Sequence, residues 1–197
     1  MHVIAFNGSP RPNGNTFTLI RHCLDTIEAE GITTELIQVG RSGIHPCLGC
    51  NSCRKRGVEE CVITDDPLNE WFAKIVKADG IILGTPTYCW GPTPTMKCLV
   101  DRVTYLSRCK LRGGELRNPL YHKVGAAIAV DAYSGSPMAV QALQTLFFVT
   151  QMIVPGANYW PVGKGLDIGD VEKDVNGMGY VADLGRNMAW LLRKINA

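Results

Sequence analysis

Cys47, Cys50, Cys53 and Cys61 follow one another as C-x2-C-x2-C-x7-C, so four of the chain's eight cysteines fall within fifteen residues. Gaps of two residues let neighbouring thiolates turn toward one point, and the longer last gap brings the fourth sulfur back to it. Four thiolates suit iron or zinc. The compact signature of a [4Fe–4S] cluster is C-x2-C-x2-C-x3-C-P; here the last gap is seven and Val62 stands in the place of the proline. The residues alone therefore leave open a [4Fe–4S] cluster, a structural zinc site, and free thiols or a redox disulfide.

A second set lies at Gly8-Ser9-Pro10-Arg11-Pro12-Asn13-Gly14-Asn15-Thr16. Gly8 allows a tight turn, and Ser9, Asn15 and Thr16 offer polar side chains where a helix begins with unpaired backbone N–H groups. Arg11 can fork onto phosphate oxygens. A phosphate is the guest this set suits, although neither the G-x-G-x-x-G nor the G-x-x-x-x-G-K-[ST] pattern is present. Elsewhere, Cys23, Cys98 and Cys109 read as small packing residues. His2, His22, His45 and His122 form no metal-spaced pair, and no nucleophile has an evident base.

Alternating apolar runs must position these residues. Val3-Ile4-Ala5-Phe6 is a strand ended by Asn7-Gly8, and the helix after it carries Ile20, Cys23, Leu24 and Ile27 on one face with Gly31 as its stop. Residues 32–39 read as a second strand. The cysteine segment, about 44–64, then interrupts the rhythm. Asp66 as N-cap and Pro67 as first helical residue open a helix whose buried stripe is Leu68, Trp71, Phe72 and Ile75. The third strand, Ile81-Ile82-Leu83, runs into a proline-rich loop from Gly84 to Pro94 and a helix with Met96, Leu99, Val100 and Val103 inside. A long connection from Ser107 to Lys123 precedes a fourth strand, 124–130, a loop at 131–135 and a helix from about Ser136 to Gln151. Residues 153–160 offer a fifth strand, weakened by Pro155 and Gly156. A last helix carries Val181, Leu184, Met188, Leu191 and Ile195.

This alternation predicts an α/β fold: a three-layer sandwich with a five-stranded parallel sheet in the flavodoxin-like order 2-1-3-4-5, helices on both faces, and the cysteine-rich insertion after strand two. One domain spans 1–197. Ligands in such sheets bind beyond the carboxyl ends of the strands at the switch point, here between strands one and three. Loops 8–16, 85–94 and 131–136 should meet there, beside the cysteines.

Composition narrows the functional classes. Hydrophobic residues make up 46% and charged ones 19%, which fits a folded globular chain. A net charge of +2, with a local basic surplus between Arg102 and Lys123, gives no footprint for nucleic acid. No run reaches the length of a membrane span and the N-terminus lacks a basic leader, so the expectation is a cytoplasmic protein with reduced cysteines.

The Gly8–Thr16 loop, the four cysteines followed by Asp65-Asp66, and Gly84-Thr85-Pro86-Thr87-Tyr88 running on to Lys97-Cys98-Leu99-Val100-Asp101-Arg102 together resemble the NADPH-dependent FMN reductase superfamily and, within it, the iron-sulfur flavoproteins. The resemblance covers residues 1 to about 150. It implies a flavodoxin-like fold, FMN as cofactor, and a homodimer or homotetramer. By the same resemblance Ser9, Arg11, Asn15 and Thr16 hold the FMN phosphate, with Asn13 and Gly14 also counted as cofactor-binding, and Pro86, Thr87, Tyr88, Cys89, Trp90 and Gly91 line the ribityl chain and isoalloxazine. Asp131, Ser134 and Gly135 contribute from the third loop, where Asp131-Ala132-Tyr133-Ser134-Gly135 replaces the family's glycine-rich run. Backbone N–H groups of 85–91 are expected to reach flavin N5, O4 and O2, with Tyr88 and Trp90 covering the ring. The two aromatics equally suit the edge of a core. Cys47, Cys50, Cys53 and Cys61 hold the metal in this reading, and no side chain is catalytic because the flavin carries the chemistry.

The expectation is an FMN-dependent oxidoreductase moving electrons between a reduced donor, ferredoxin-like or NAD(P)H, FMN and a [4Fe–4S] cluster, with a small-molecule acceptor. A clusterless NAD(P)H-dependent FMN, quinone or azo reductase is the first alternative. A non-catalytic flavodoxin-like carrier or zinc-stabilised interaction domain is the second.

Overall fold

Val3, Ile4, Ala5 and Phe6 are fully buried at the centre of β1 (His2–Asn7), because this strand has sheet neighbours on both sides and helices on both faces. The computed structural model describes residues 1–109, 114 and 118–196. After β1 come α1 (Asn15–Glu28), β2 (Thr33–Gln38), a short α2 (Ser52–Arg56), α3 (Leu68–Lys77), β3 (Gly80–Pro86) and α4 (Pro94–Ser107). β4 (Val124–Asp131), α5 (Ser136–Val149), β5 (Val162–Lys164) and α6 (Val175–Ile195) complete the order. All strand pairs are parallel and the sheet order is β2-β1-β3-β4-β5. The flavodoxin-like topology expected from the sequence is the one observed.

Successive strand residues point to opposite faces, so two cores form. Ile4, Phe6, Ile81 and Leu83 pack against α3, α4 and α5 through Phe72, Leu99 and Phe147. Val3, Ala5, Ile82 and Ile128 meet α1 and α6 through Leu19, Ile20, Leu184 and Met188. Truncating one such leucine or isoleucine to alanine would cost about 2–5 kcal/mol. Among the described residues no helix is long and apolar enough to cross a membrane.

Two boundaries differ from the sequence reading. The fifth strand is not at 153–160. Ile153 makes a single bridge to Val124, the chain leaves the sheet, and β5 pairs with Ala129–Asp131 only after Pro161. Pro155 and Pro161 have no N–H to give to a ladder, which confines pairing here to short pieces at the sheet edge. In α3, Pro67 rather than Asp66 occupies the cap position; Asp66 Oδ1 still accepts from the Leu68 N–H at 3.1 Å, but its carboxylate turns toward Arg102. The connection expected from Ser107 to Lys123 includes 110–113 and 115–117, which lie outside the described residues.

Candidate functional site

The end of β1 and the start of α1 form a cradle for an anion. Gly14 caps α1 without a side chain, no acid lies in the first turn, and the first-turn N–H groups have no intrahelical partner. Ser9 Oγ accepts from the Arg11 N–H at 3.1 Å, which leaves the hydroxyl hydrogen to donate outward. The loop is held from below: Asn7 Oδ1 accepts from the Ser9 N–H at 3.0 Å, and Gln38 Nε2 at the end of β2 donates to the Ser9 carbonyl at 2.6 Å. Gly40 lies so close that a Cβ there would overlap the Ser9 carbonyl oxygen.

A cleft of ≈ 230 Å³ opens at this edge of the sheet. Ser9, Arg11, Asn15 and Thr16 line it from one side, with Pro86, Thr87, Tyr88 and Asp131 opposite. The three loops expected to meet therefore do meet. Asn13, Gly14, Cys89, Trp90, Gly91, Ser134 and Gly135 are not among the residues that line the cleft.

The 85–91 loop has a defined form. Tyr88 and Gly91 exchange both backbone hydrogen bonds, at 2.8 and 2.9 Å, around Cys89 and Trp90, whose φ values are 47° and 60°. Two consecutive non-glycine residues in the left-handed region make a primed hairpin turn that costs about 1–3 kcal/mol per residue, strain of the kind concentrated at ligand sites. The backbone hydrogen bonds of the loop narrow the donors it can offer. Thr87 N–H is committed to the Val130 carbonyl at 2.7 Å, and those of Tyr88 and Gly91 to each other's carbonyls. The amides of Cys89 and Trp90, at the tip, have no backbone partner among the described residues. Trp90 leans on Gly135, whose φ of 99° favours glycine and where a Cβ would strike the indole. Gly135 thus acts through the aromatic beside the cleft.

Sequence reasoning missed the segment after β5. Gly165 and Leu166 line the cleft, Arg11 Nη1 donates to the Leu166 carbonyl at 3.1 Å, and Asn15 Nδ2 donates to the Asp167 carbonyl at 2.8 Å. Asn15 is therefore a brace, and Arg11 is partly engaged before any phosphate arrives. Lys164 was missed as well. Its ammonium pairs with Asp131 and donates to the Tyr133 carbonyl at 2.8 Å, while the other Asp131 oxygen accepts from the Ser136 N–H at 2.8 Å. Burial works to raise the Asp131 pKa, but the Lys164 and Ser136 hydrogen bonds outweigh it and hold the carboxyl below its ordinary value. An ionised but paired Asp131 can face an anionic cofactor without strong repulsion. The glycines at 163, 165 and 169 were the available signal for this segment.

The cysteine segment forms a separate pocket of ≈ 30 Å³, lined by Cys47, Cys50, Cys53 and Cys61 together with Arg102 and Tyr105 of α4. Among the described residues no three side chains converge as they would on a single metal ion. Burial raises the Cys53 pKa, the Arg54 backbone N–H lowers it, and Cys61, Cys50 and Cys47 raise it further. Four cysteine sulfurs on the lining of one pocket are soft donors of the kind that hold iron or zinc. Lys55 and Arg56 are exposed, and Arg56 Nη2 donates to the Glu60 carbonyl at 3.0 Å. The cation at the sulfurs is instead Arg102. His45 joins through its backbone, whose N–H donates to Asp66 Oδ2 at 2.9 Å.

These features carry a resemblance that comparison makes definite. Residues 1–167 match the model of the NADPH-dependent FMN reductase family. The chain belongs to that family. It is 40% identical over 202 residues to an iron-sulfur flavoprotein of Methanocaldococcus jannaschii, covering 99% of both chains. An iron-sulfur flavoprotein of Methanosarcina thermophila is 29% identical, with 99% of this chain and 97% of the other covered. In fold, the chain resembles RosB, crystallised with an 8-demethyl-8-formylriboflavin-5'-phosphate intermediate, at a TM-score of 0.72 and 18% identity, over 100% of this chain and 80% of that one.

As a member of the NADPH-dependent FMN reductase family the protein is an FMN-dependent oxidoreductase. The cleft at the β1, β3 and β4 ends fits that cofactor: an uncapped helix N-terminus and Ser9 for the phosphate, and exposed faces of Tyr88 and Trp90 near a flat ring.

Proposed function

We propose that this FMN-dependent oxidoreductase passes electrons between FMN in the 9–16/86–91/131 cleft and a [4Fe–4S] cluster on Cys47, Cys50, Cys53 and Cys61. The observation that carries this reading is the position of α4. Thr93 caps it immediately after the flavin loop, donating through Oγ1 to the Gly8 carbonyl at 2.9 Å, and Arg102 on the same helix lines the cysteine pocket. Nine residues of helix, about 13 Å, join the two sites rigidly.

When bound, FMN supplies a carrier that takes up electrons in pairs and can release them singly, while a [4Fe–4S] centre exchanges them one at a time. The chain's own residues do the rest. Ser9, Arg11 and the α1 N-terminus hold the phosphate; the Cys89 and Trp90 amides orient the polar edge of the ring; Tyr88 and Trp90 exclude water from its face. Spread thiols suit a centre that takes each ligand to a different iron better than one zinc. A ferredoxin-like single-electron donor, a small-molecule acceptor and a homodimer or homotetramer belong to the same proposal.

Protein isolated without oxygen and reconstituted with iron and sulfide should contain FMN and about four irons per chain, with a broad iron-sulfur absorption shoulder. Fewer than about two irons per chain would remove the cluster. The matching family's description favours a second reading, direct reduction by NADPH; steady NADPH oxidation by the iron-free flavoprotein would select it.

A further inference from the structure

Arg102 is the largest fully buried side chain among the described residues, at 1% exposure, and it lies on the wall of the cysteine pocket. Its guanidinium joins both ends of the cysteine segment. Nη1 pairs with Asp66 and donates to the His45 carbonyl at 3.2 Å, just before Cys47, while Nη2 donates to the Ile63 carbonyl at 3.4 Å, just after Cys61. Asp66 answers by accepting the His45 N–H at 2.9 Å. Nε is buried as well, and among the described residues it has no hydrogen-bond partner. Cys61 lines the same pocket as the guanidinium; burial pulls the Arg102 pKa down, but Asp66 and then Cys61 raise it above the ordinary arginine value.

A buried, unpaired N–H is destabilising unless something accepts from it. The other nitrogens are satisfied by backbone and carboxylate, so Nε is the donor left over on a side chain that lines the cysteine pocket. Resting on the cluster reading above, we propose that Arg102 is a positioning residue for the iron-sulfur centre, closing the cysteine loop through Nη1 and Nη2 and donating through Nε to the Cys61 thiolate. A hydrogen bond to a ligand sulfur stabilises the more negative, reduced state and raises the reduction potential. Because α4 starts at the flavin loop, the same side chain sets the cluster's potential and its place relative to the flavin.

Arg102→Lys keeps a charge for Asp66 and removes the Nε donor. Relative to wild type, the reconstituted variant should keep its iron and its flavin midpoint. At fixed ambient potential its ratio of reduced to oxidised cluster should fall about tenfold, roughly 59 mV for a one-electron couple. An unchanged cluster potential with full iron content overturns the role of Arg102. Should the variant lose its iron, the wild-type protein decides: the reduced cluster, grown with arginine labelled with nitrogen-15 at Nε, should show nitrogen and exchangeable-proton couplings by electron-nuclear double resonance, and their absence overturns the proposal. Wild-type protein that takes up no iron sinks the cluster reading itself, a result distinct from either.

Discussion

Asn15 on the first turn of α1 holds Asp167 through its amide: Nδ2 donates to the Asp167 carbonyl at 2.8 Å, while Oδ1 accepts the Gly169 N–H at 2.9 Å. A residue whose type and place marked it as a phosphate donor is thereby a brace between the phosphate loop and the chain after β5. Asn15→Ala should destabilise the fold by about 1–3 kcal/mol in urea unfolding, since two backbone groups lose their partner. Asn15→Asp removes the donor and puts negative charge at the helix N-terminus. Its FMN dissociation constant, from fluorescence titration, should rise at least about tenfold; an unchanged value would show that the anion does not sit there.

Gly40 limits the phosphate loop by contact. Gly40→Ala drives a Cβ into the Ser9 carbonyl oxygen, and backbone on both sides must move. The expected outcome is a loss of about 1–3 kcal/mol in stability together with weaker FMN binding. Gly156→Ala, whose Cβ would meet nothing, should stay within about 0.5 kcal/mol of wild type.

Asp131 gives the protein an acid-sensitive contact. Its folded-state pKa lies below the unfolded value, despite burial, because Lys164 and Ser136 stabilise the carboxylate. The stabilisation is present above the unfolded pKa of about 4 and disappears as pH falls through the lower, folded value. Asp131→Asn should flatten the slope of unfolding free energy against pH below about pH 4. Lys164→Met should lower stability at neutral pH, since it leaves a buried carboxylate uncompensated. An unaltered acid slope in Asp131→Asn would refute the pairing.

The cysteines should separate by reactivity. Burial pushes the Cys23 thiol up to about 12, so it has almost no thiolate at pH 8 and no access to reagent. Cys50 and Cys89 are exposed. In folded protein stripped of cofactors, iodoacetamide followed by mass spectrometry should label Cys50 and Cys89 first and Cys23 only after unfolding. Early labelling of Cys23 would show that α1 opens locally.

Much of the molecule was legible in the chain because the information is local. Apolar runs such as Val3–Phe6 and Ile81–Leu83 set their own period, and the rules for parallel crossovers left few sheet orders. Cys47, Cys50 and Cys53 sit so close in sequence that a shared pocket was the expected result. The edge strand was misplaced because its position follows from which backbone groups remain to pair with β4 past two prolines, and an apolar run does not carry that information.

By itself the sequence determined the sheet order, the loops that meet at its carboxyl edge and the company of the four cysteines, since each rests on neighbours along the chain. The tertiary structure alone decided which groups stay free to bind. Asn15 is committed to a segment 152 residues away, and Arg102 reaches across 57 residues to His45. Lys164 reaches across 33 residues to neutralise Asp131, while the 85–91 turn leaves the amides of Cys89 and Trp90 with no backbone partner among the described residues. A hydrogen bond is made once, with whichever partner folding brings near, and no local pattern records that choice.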